Sequence, residues 1–306
     1  MSQQPTEQRA DVYEQVTREI IEAIEQGQAS WQMPWHVTGD AVFSPVNVAS
    51  KRTYRGINLV CLWAAARRNG FESGTWGTYR QWKERGAQVR NGERATTVVY
   101  WKFSGREDEE EPRGEEEAAG AQKRRGRGVF ATGYSVFNAD QVTGYQPPKT
   151  PTLSEDERIA VAEAFFKTIP ADVRHEGNAA FYSPEGDFVS LPPFRHFKRP
   201  VSYYGVLAHE LTHWTGSPAR LARDLSGRFG SKCYAAEELV AELGAAFVCS
   251  GLELPLSPRG DNAPYIVSWL EVLKADKRAI FTAASKAQAA VDYLLTLNQA
   301  ASLEAA

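Results

Sequence analysis

The stretch Tyr203-Tyr204-Gly205-Val206-Leu207-Ala208-His209-Glu210-Leu211-Thr212-His213-Trp214 decides how the second half of this chain folds. Tyr204, Leu207, Ala208, Leu211 and Trp214 recur at helical spacing, so Tyr203 to Thr215 is expected to form a helix with one apolar stripe. Gly216 and Pro218 supply its stop. On such a helix His209 and His213 stand one turn apart beside the stripe, and both imidazoles can reach one metal ion. Glu210 lies next to them, where a carboxylate can take a proton from a water molecule. Only five of the 306 residues are histidine, so this spacing argues for a zinc-hydrolase site over two ordinary helix histidines.

A third ligand must come from elsewhere. One class of zinc proteases extends the motif to His-Glu-x-x-His-x-x-Gly-x-x-His. This chain follows it to Gly216 but carries Ala219 where the last histidine would stand, which excludes that class. A second helix is expected from Tyr234 to about Cys249, and it contains Glu237, Glu238 and Glu242. A glutamate from it would give a two-His, one-Glu site for Zn²⁺ with an open position for water. Glu238 and Glu242 are four apart and share a face, so one can bind metal while the other orients a ligand histidine. Glu238 is expected as the ligand and Glu242 as the support, with the reverse order as the alternative. Glu237 points about 100° away and is expected to be solvated or paired with an arginine. By residue type, Tyr203, Tyr204, Tyr234 and His175 are candidate donors to an oxyanion. A strand at Phe188 to Leu191 could pair with the backbone of an extended peptide.

The first half reads differently. Between Lys51 and Lys102 there are eleven basic and three acidic residues, a local charge of +8 in a chain whose formal net charge is −3. Aromatic residues are interleaved with them. Basic side chains track phosphates and aromatic faces stack on unpaired bases, so the pattern favours single-stranded nucleic acid over a duplex reader. Tyr54, flanked by Arg52 and Arg55, is the preferred stacking residue; Trp76, Tyr79, Arg80, Trp82, Lys83 and Arg90 complete the candidate DNA-binding set. Tyr79 and Trp82 share one short helix, so one is expected to pack and the other to stack. Trp63 is assigned to the core.

Helices are expected at Asp11 to Gln26, at Ile57 to Asn69 and, behind a capping box at Thr78, towards Arg85. Thr96 to Phe103 and Val129 to Phe137 alternate as strands. The segment 104–128 joins acidic and basic runs without apolar periodicity and is expected to be a disordered charged insertion. The proline-rich residues 147–153 read as a linker. They divide the chain into a first domain, 1–146, and a second, 154–306, which opens on a capping box at Ser154. Tyr182 to Pro184 is expected as a further strand, and two helices close the chain. Cys61, Cys233 and Cys249 make no CxxC pair or disulfide framework, and neither a signal pattern nor a membrane span is visible. A cytoplasmic protein is expected, with no membrane partner.

Taken together the residues resemble the ArdC-type antirestriction proteins of conjugative plasmids. The resemblance rests on Trp31 to Trp35, Tyr54-Arg55-Gly56-Ile57-Asn58, Trp76-Gly77-Thr78-Tyr79 with Gln81, and Gly86-Ala87-Gln88-Val89-Arg90 with Gly92-Glu93. In the second half it rests on His209 to Gly216, Arg220-Leu221, Tyr234-Ala235 and Glu237 to Leu243. It implies an α+β protein: a small single-stranded-DNA-binding domain followed by a mostly helical zincin-like metallopeptidase domain with a small sheet. It also implies protection of incoming plasmid DNA from host restriction, with a host restriction component as a possible protein substrate. The competing reading is a non-enzymatic DNA-binding protective or replication-associated protein whose metal site is structural or vestigial.

Overall fold

Helix α1 (Val12–Gly27) turns Val16, Ile20, Ala23 and Ile24 to one side, and that side is buried. Its burial sets the architecture, because what covers it comes from both halves of the chain. The computed structural model describes residues 11–27, 33–36, 44–103, 129–146, 153–228, 230–256 and 263–304. The expected insertion at 104–128 lies outside the described residues, and so does the linker except for Leu153.

After α1 the chain makes a tight turn at Met33–His36 and then forms β1 (Val46–Asn47), α2 (Ile57–Asn69), β2 (Thr75–Gly77) and α3 (Tyr79–Lys83). Next come β3 (Gln88–Val89), β4 (Thr96–Phe103), β5 (Val129–Asn138) and β6 (Val142–Thr143). Helix α2 is buried from Leu59 to Ala66 all the way round, as a helix through a core must be, and Gly70 ends it with a left-handed φ of 66°. The capping box at Thr78 forms as expected, its hydroxyl accepting from the Gln81 N–H at 3.2 Å. A four-stranded sheet runs β1-β2-β5-β4, with Thr96 paired to Val136 and Phe103 to Val129 along the long β4–β5 ribbon. Strands β3 and β6 form a separate antiparallel pair. Two- and three-residue strands are too short for alternation to reveal them, which is why β1, β2, β3 and β6 escape a reading of the sequence.

The second half comprises α4 (Glu155–Lys167), β7 (Asp172–His175), β8 (Phe181–Ser183), β9 (Phe188–Leu191), α5 (Pro200–Thr215), α6 (Lys232–Gly251), α7 (Ala263–Ala275) and α8 (Ala279–Glu304). Its sheet has the order β7-β9-β8, so β9 is central and β8 is an edge. Helices α5 and α6 pack closely where Gly244 meets Thr212. A methyl group at Gly244 would lie 2.5 Å from the Thr212 side chain, so glycine here sets the spacing of the two helices. Among the described residues no helix is long and apolar enough to cross a membrane.

One apolar core crosses between the halves. Tyr13 packs edge-on against Phe281 at 4.7 Å, Trp35 lies 6.1 Å from Trp269, and Trp63 lies 5.9 Å from Phe247. Polar contacts follow the same seam: the Thr17 hydroxyl donates to the Lys277 carbonyl at 2.7 Å, and Lys274 pairs with Glu25.

Candidate functional site

Pro200 starts α5 at its first turn, where a missing N–H costs nothing, and the helix runs unbroken through both histidines. Ser231 caps α6, accepting from the Tyr234 N–H at 3.2 Å. The close crossing of the two helices brings ligand atoms of His209, His213 and Glu238 within 4.8 Å of one another. Nε2 of His209 and Nε2 of His213 each lie 3.5 Å from a different oxygen of Glu238. Two imidazole nitrogens and a carboxylate oxygen are a donor set suited to Zn²⁺ or a similar divalent ion, so the residues present fit the metal that the motif implies.

Both imidazoles are held from behind. Nδ1 of His209 lies 3.4 Å from Glu242, and Nδ1 of His213 lies 3.3 Å from Glu237. A carboxylate on Nδ1 fixes the ring and aims Nε2 at the point where the two rings and Glu238 converge. Glu242 therefore stands where a supporting residue was expected. Glu237 does not lie on a solvated face. It is buried against His213, and its expected arginine is Arg223, whose Nη2 donates at 2.8 Å. Arg223 also donates to the Thr212 carbonyl and the Thr215 hydroxyl, tying the end of α5 to α6. A helix face wide enough to pack against a neighbour spans residues 100° apart, so adjacent glutamates can flank one histidine pair. That geometry was the signal for Glu237. For Arg223, in an irregular loop, spacing offers none.

Charge at the site follows from this packing. Burial opposes a charged His213, but Glu237 and Glu238 outweigh it and push its pKa up to about 10. Glu238, despite burial, is held below the usual carboxylate range by the two histidines.

His209, His213 and Glu238 line a cleft of about 290 Å³ together with Glu210, Tyr234, Tyr265 and the segment Ala180 to Tyr182. Of the four oxyanion candidates only Tyr234 faces this cleft. The Tyr203 hydroxyl is engaged by His175 at 2.9 Å, and Tyr204 stacks on Phe166. Burial, the Tyr265 hydroxyl and Glu238 drive the Tyr234 phenol far above its ordinary pKa, which keeps it a proton donor. The strand beside the cleft also differs from expectation. Both edges of β9 are paired, to β7 and β8, so Phe188 to Leu191 has no free backbone for a substrate. Edge strand β8 borders the cleft instead.

The nucleic-acid candidates divide. Trp76 and Trp82 are 0% exposed, so neither can stack on a base. Trp82 is pinned beneath α3, donating from its indole to the Phe137 carbonyl at 3.0 Å. Trp82→Ala should therefore lower stability by about 3–5 kcal/mol, the usual cost of emptying a buried aromatic site, and a thermal or denaturant melt would read it. An unchanged midpoint would contradict the packing. Tyr54 is half-buried against the core, with its hydroxyl accepting from Asn47 at 3.0 Å, and is not a free stacking platform. Tyr79 is 48% exposed, so of the pair on α3 it is Trp82 that packs. Arg52, Arg55, Arg80, Lys83 and Arg90 are all exposed, although Arg55 pairs with Asp292, Arg80 with Glu84 and Arg90 with Glu93. Tyr100 and Tyr134 meet edge-on at 6.1 Å on the outer face of the β4–β5 ribbon, both exposed. Strand alternation placed Tyr100, but its partnership with Tyr134 depends on a register that joins distant segments.

Comparison with known proteins accounts for both halves. The N-terminal domain of the anti-restriction factor ArdC matches residues 10–137, and the zincin-like metallopeptidase family matches residues 160–286. The antirestriction ArdC protein of plasmid R388, in its metal-free crystal structure, superposes with a TM-score of 0.74 at 40% identity, over 95% of this chain and 98% of that one. This chain belongs to the ArdC family. The Mn(II)-bound structure of the R388 ArdC protein gives a TM-score of 0.73 at 39% identity, covering 94% and 98% of the two chains. An uncharacterized protein of Sinorhizobium fredii, y4eC, is 50% identical over 93% of this chain and 91% of its own length. The DNA primase TraC of Escherichia coli is 38% identical over 94% of this chain, which spans 27% of TraC. The two-domain α+β organisation of the ArdC family is the one seen here.

Proposed function

We propose that this ArdC-family protein binds single-stranded DNA through its first half, hydrolyses peptide bonds with a Zn²⁺ site in its second, and protects incoming plasmid DNA from host restriction. The observation that carries the enzymatic part is the convergence of His209, His213 and Glu238 with Glu210 in one cleft. When bound, the divalent cation supplies Lewis acidity toward a peptide carbonyl and acidifies a water molecule. Glu210 accepts the proton from the attacking water and delivers it to the leaving amine. The Tyr234 hydroxyl donates to the oxygen that gains charge. The free edge of β8 holds an extended substrate by backbone pairing. Zn²⁺ is the preferred ion for a site rich in imidazole, and the R388 relative has a Mn(II)-bound structure, which supports a divalent ion. Purified protein tests this directly: metal analysis together with cleavage of unstructured peptides, abolished by a chelator and restored by Zn²⁺. Inert peptides across a broad library with metal fully loaded would refute the hydrolase.

For DNA, the support is the exposure of the basic side chains Arg52, Arg55, Arg80, Lys83 and Arg90 and of the rings of Tyr79, Tyr100 and Tyr134. Stacking on one ring contributes about 1–3 kcal/mol per base, so Tyr79→Ala and Tyr100→Ala are each expected to weaken single-strand binding by roughly 5- to 150-fold at fixed salt. Fluorescence anisotropy with a short oligonucleotide measures this. Wild-type affinity in both variants would move the stacking surface elsewhere.

The TraC relative favours one further reading, a replication-associated DNA-binding module in which the metal is structural. Glu210 favours the hydrolase, since a purely structural site has no use for a carboxylate beside its ligands, and the Glu210→Gln comparison separates a working site from a vestigial one.

A further inference from the structure

The support behind His209 comes partly from the other half of the molecule. His36 ends the Met33–His36 turn and is buried. Its Nδ1 accepts the Met33 N–H at 3.0 Å. That contact fixes the tautomer: the ring proton must sit on Nε2, which donates to Glu242 Oε1 at 3.1 Å. The second oxygen of the same carboxylate, Oε2, lies 3.4 Å from Nδ1 of His209. Glu242 is thus clamped between two imidazoles, that of His209 and one from a turn 206 residues earlier in the chain. The other supporting carboxylate, Glu237, is held by Arg223 from within its own half.

This asymmetry has a physical consequence. A buried carboxylate turns to its strongest donor, and the orientation of Glu242 determines how His209 presents Nε2. Met33 is itself tethered, since its carbonyl accepts from Arg67 on α2 at 3.3 Å. A continuous path therefore runs from Arg67, in the basic stretch, through Met33, His36 and Glu242 to His209.

We propose that His36 is a positioning residue for the metal centre, so that the DNA-binding half of the chain sets the metal affinity of the peptidase half. The proposal rests on the reading of His209, His213 and Glu238 as the ligands. Two variants of the full-length protein separate positioning from packing. In His36→Gln the side-chain amide reaches about where Nε2 stood and can still donate to Glu242. In His36→Asn the amide stops near the position of Nδ1, keeping an acceptor for the Met33 N–H but losing Glu242. Zn²⁺ and Mn²⁺ are each titrated into the metal-free protein against a chromophoric chelator, and melting curves show that each variant is folded. Loss of the group that orients a ligand from behind weakens metal binding by about 10- to 100-fold, so His36→Asn, which leaves Glu242 in place but unclamped, is expected at the low end, about 10-fold, with His36→Gln within about threefold of wild type. Equal affinities in the two variants, whether both tight or both weak, would overturn the proposal while leaving the metal site standing. A wild-type chain that takes up neither ion would overturn the site and the proposal together.

Discussion

Glu210→Gln is expected to cut peptide hydrolysis by about 10²–10⁴-fold, the range general-base groups contribute, while the protein retains its full complement of metal. The substitution keeps the shape of the side chain and removes only its ability to accept a proton. Glu210 lines the cleft but is not among the three converging side chains proposed to hold the metal, so metal content measured by elemental analysis should not change. A variant that cleaves at the wild-type rate would mean that the base lies elsewhere. The same variant carries a biological question. If it shields incoming DNA in a plasmid-transfer assay as well as the wild type, peptide hydrolysis is not the source of antirestriction.

Glu238→Ala is expected to abolish stoichiometric metal binding, and Glu242→Ala to weaken it by about 10- to 100-fold, as for a group outside the ligand set. The distances behind this order are those from Glu238 to both Nε2 atoms, 3.5 Å each, and from Glu242 to the rear nitrogen of His209, 3.4 Å. Competition with a chelator of known affinity would rank the two variants. Retention of metal by the first and its loss by the second would reverse the assignment of ligand and support.

The histidine pair, Glu210 and the helices that carry the site could be read from the sequence because each depends on residues within one or two turns of one another. Caps at Thr78 and Ser154, the stop at Gly70 and the alternation of β4 are equally local. What escaped is decided over distance. The basic, aromatic composition of the first half pointed to a surface, yet composition does not say which way a ring faces. Trp76 and Trp82 turn inward because the sheet and α3 need filling, and Tyr79, almost adjacent, turns outward. Edge and centre in the second sheet were likewise interchanged, since β7 was not foreseen and its pairing is what buries β9. His36 gave no sign at all. Its partner lies 206 residues away, and no periodicity connects a turn to a helix at that range.

The apolar seam between the halves bears on how such a gene can recombine. A crossover placed near residue 147 between two diverged relatives would bring together a Trp63 and a Phe247, or a Tyr13 and a Phe281, that had drifted apart in shape. Mismatched core partners cost stability of the order of 1–3 kcal/mol each, comparable with a fair part of what a whole domain has to spare. Chimaeras exchanged at that point should therefore be selected against, and the pair should move between replicons as one indivisible cassette. The match to TraC, where 27% of a much longer chain corresponds to 94% of this one, has the form such a cassette would leave.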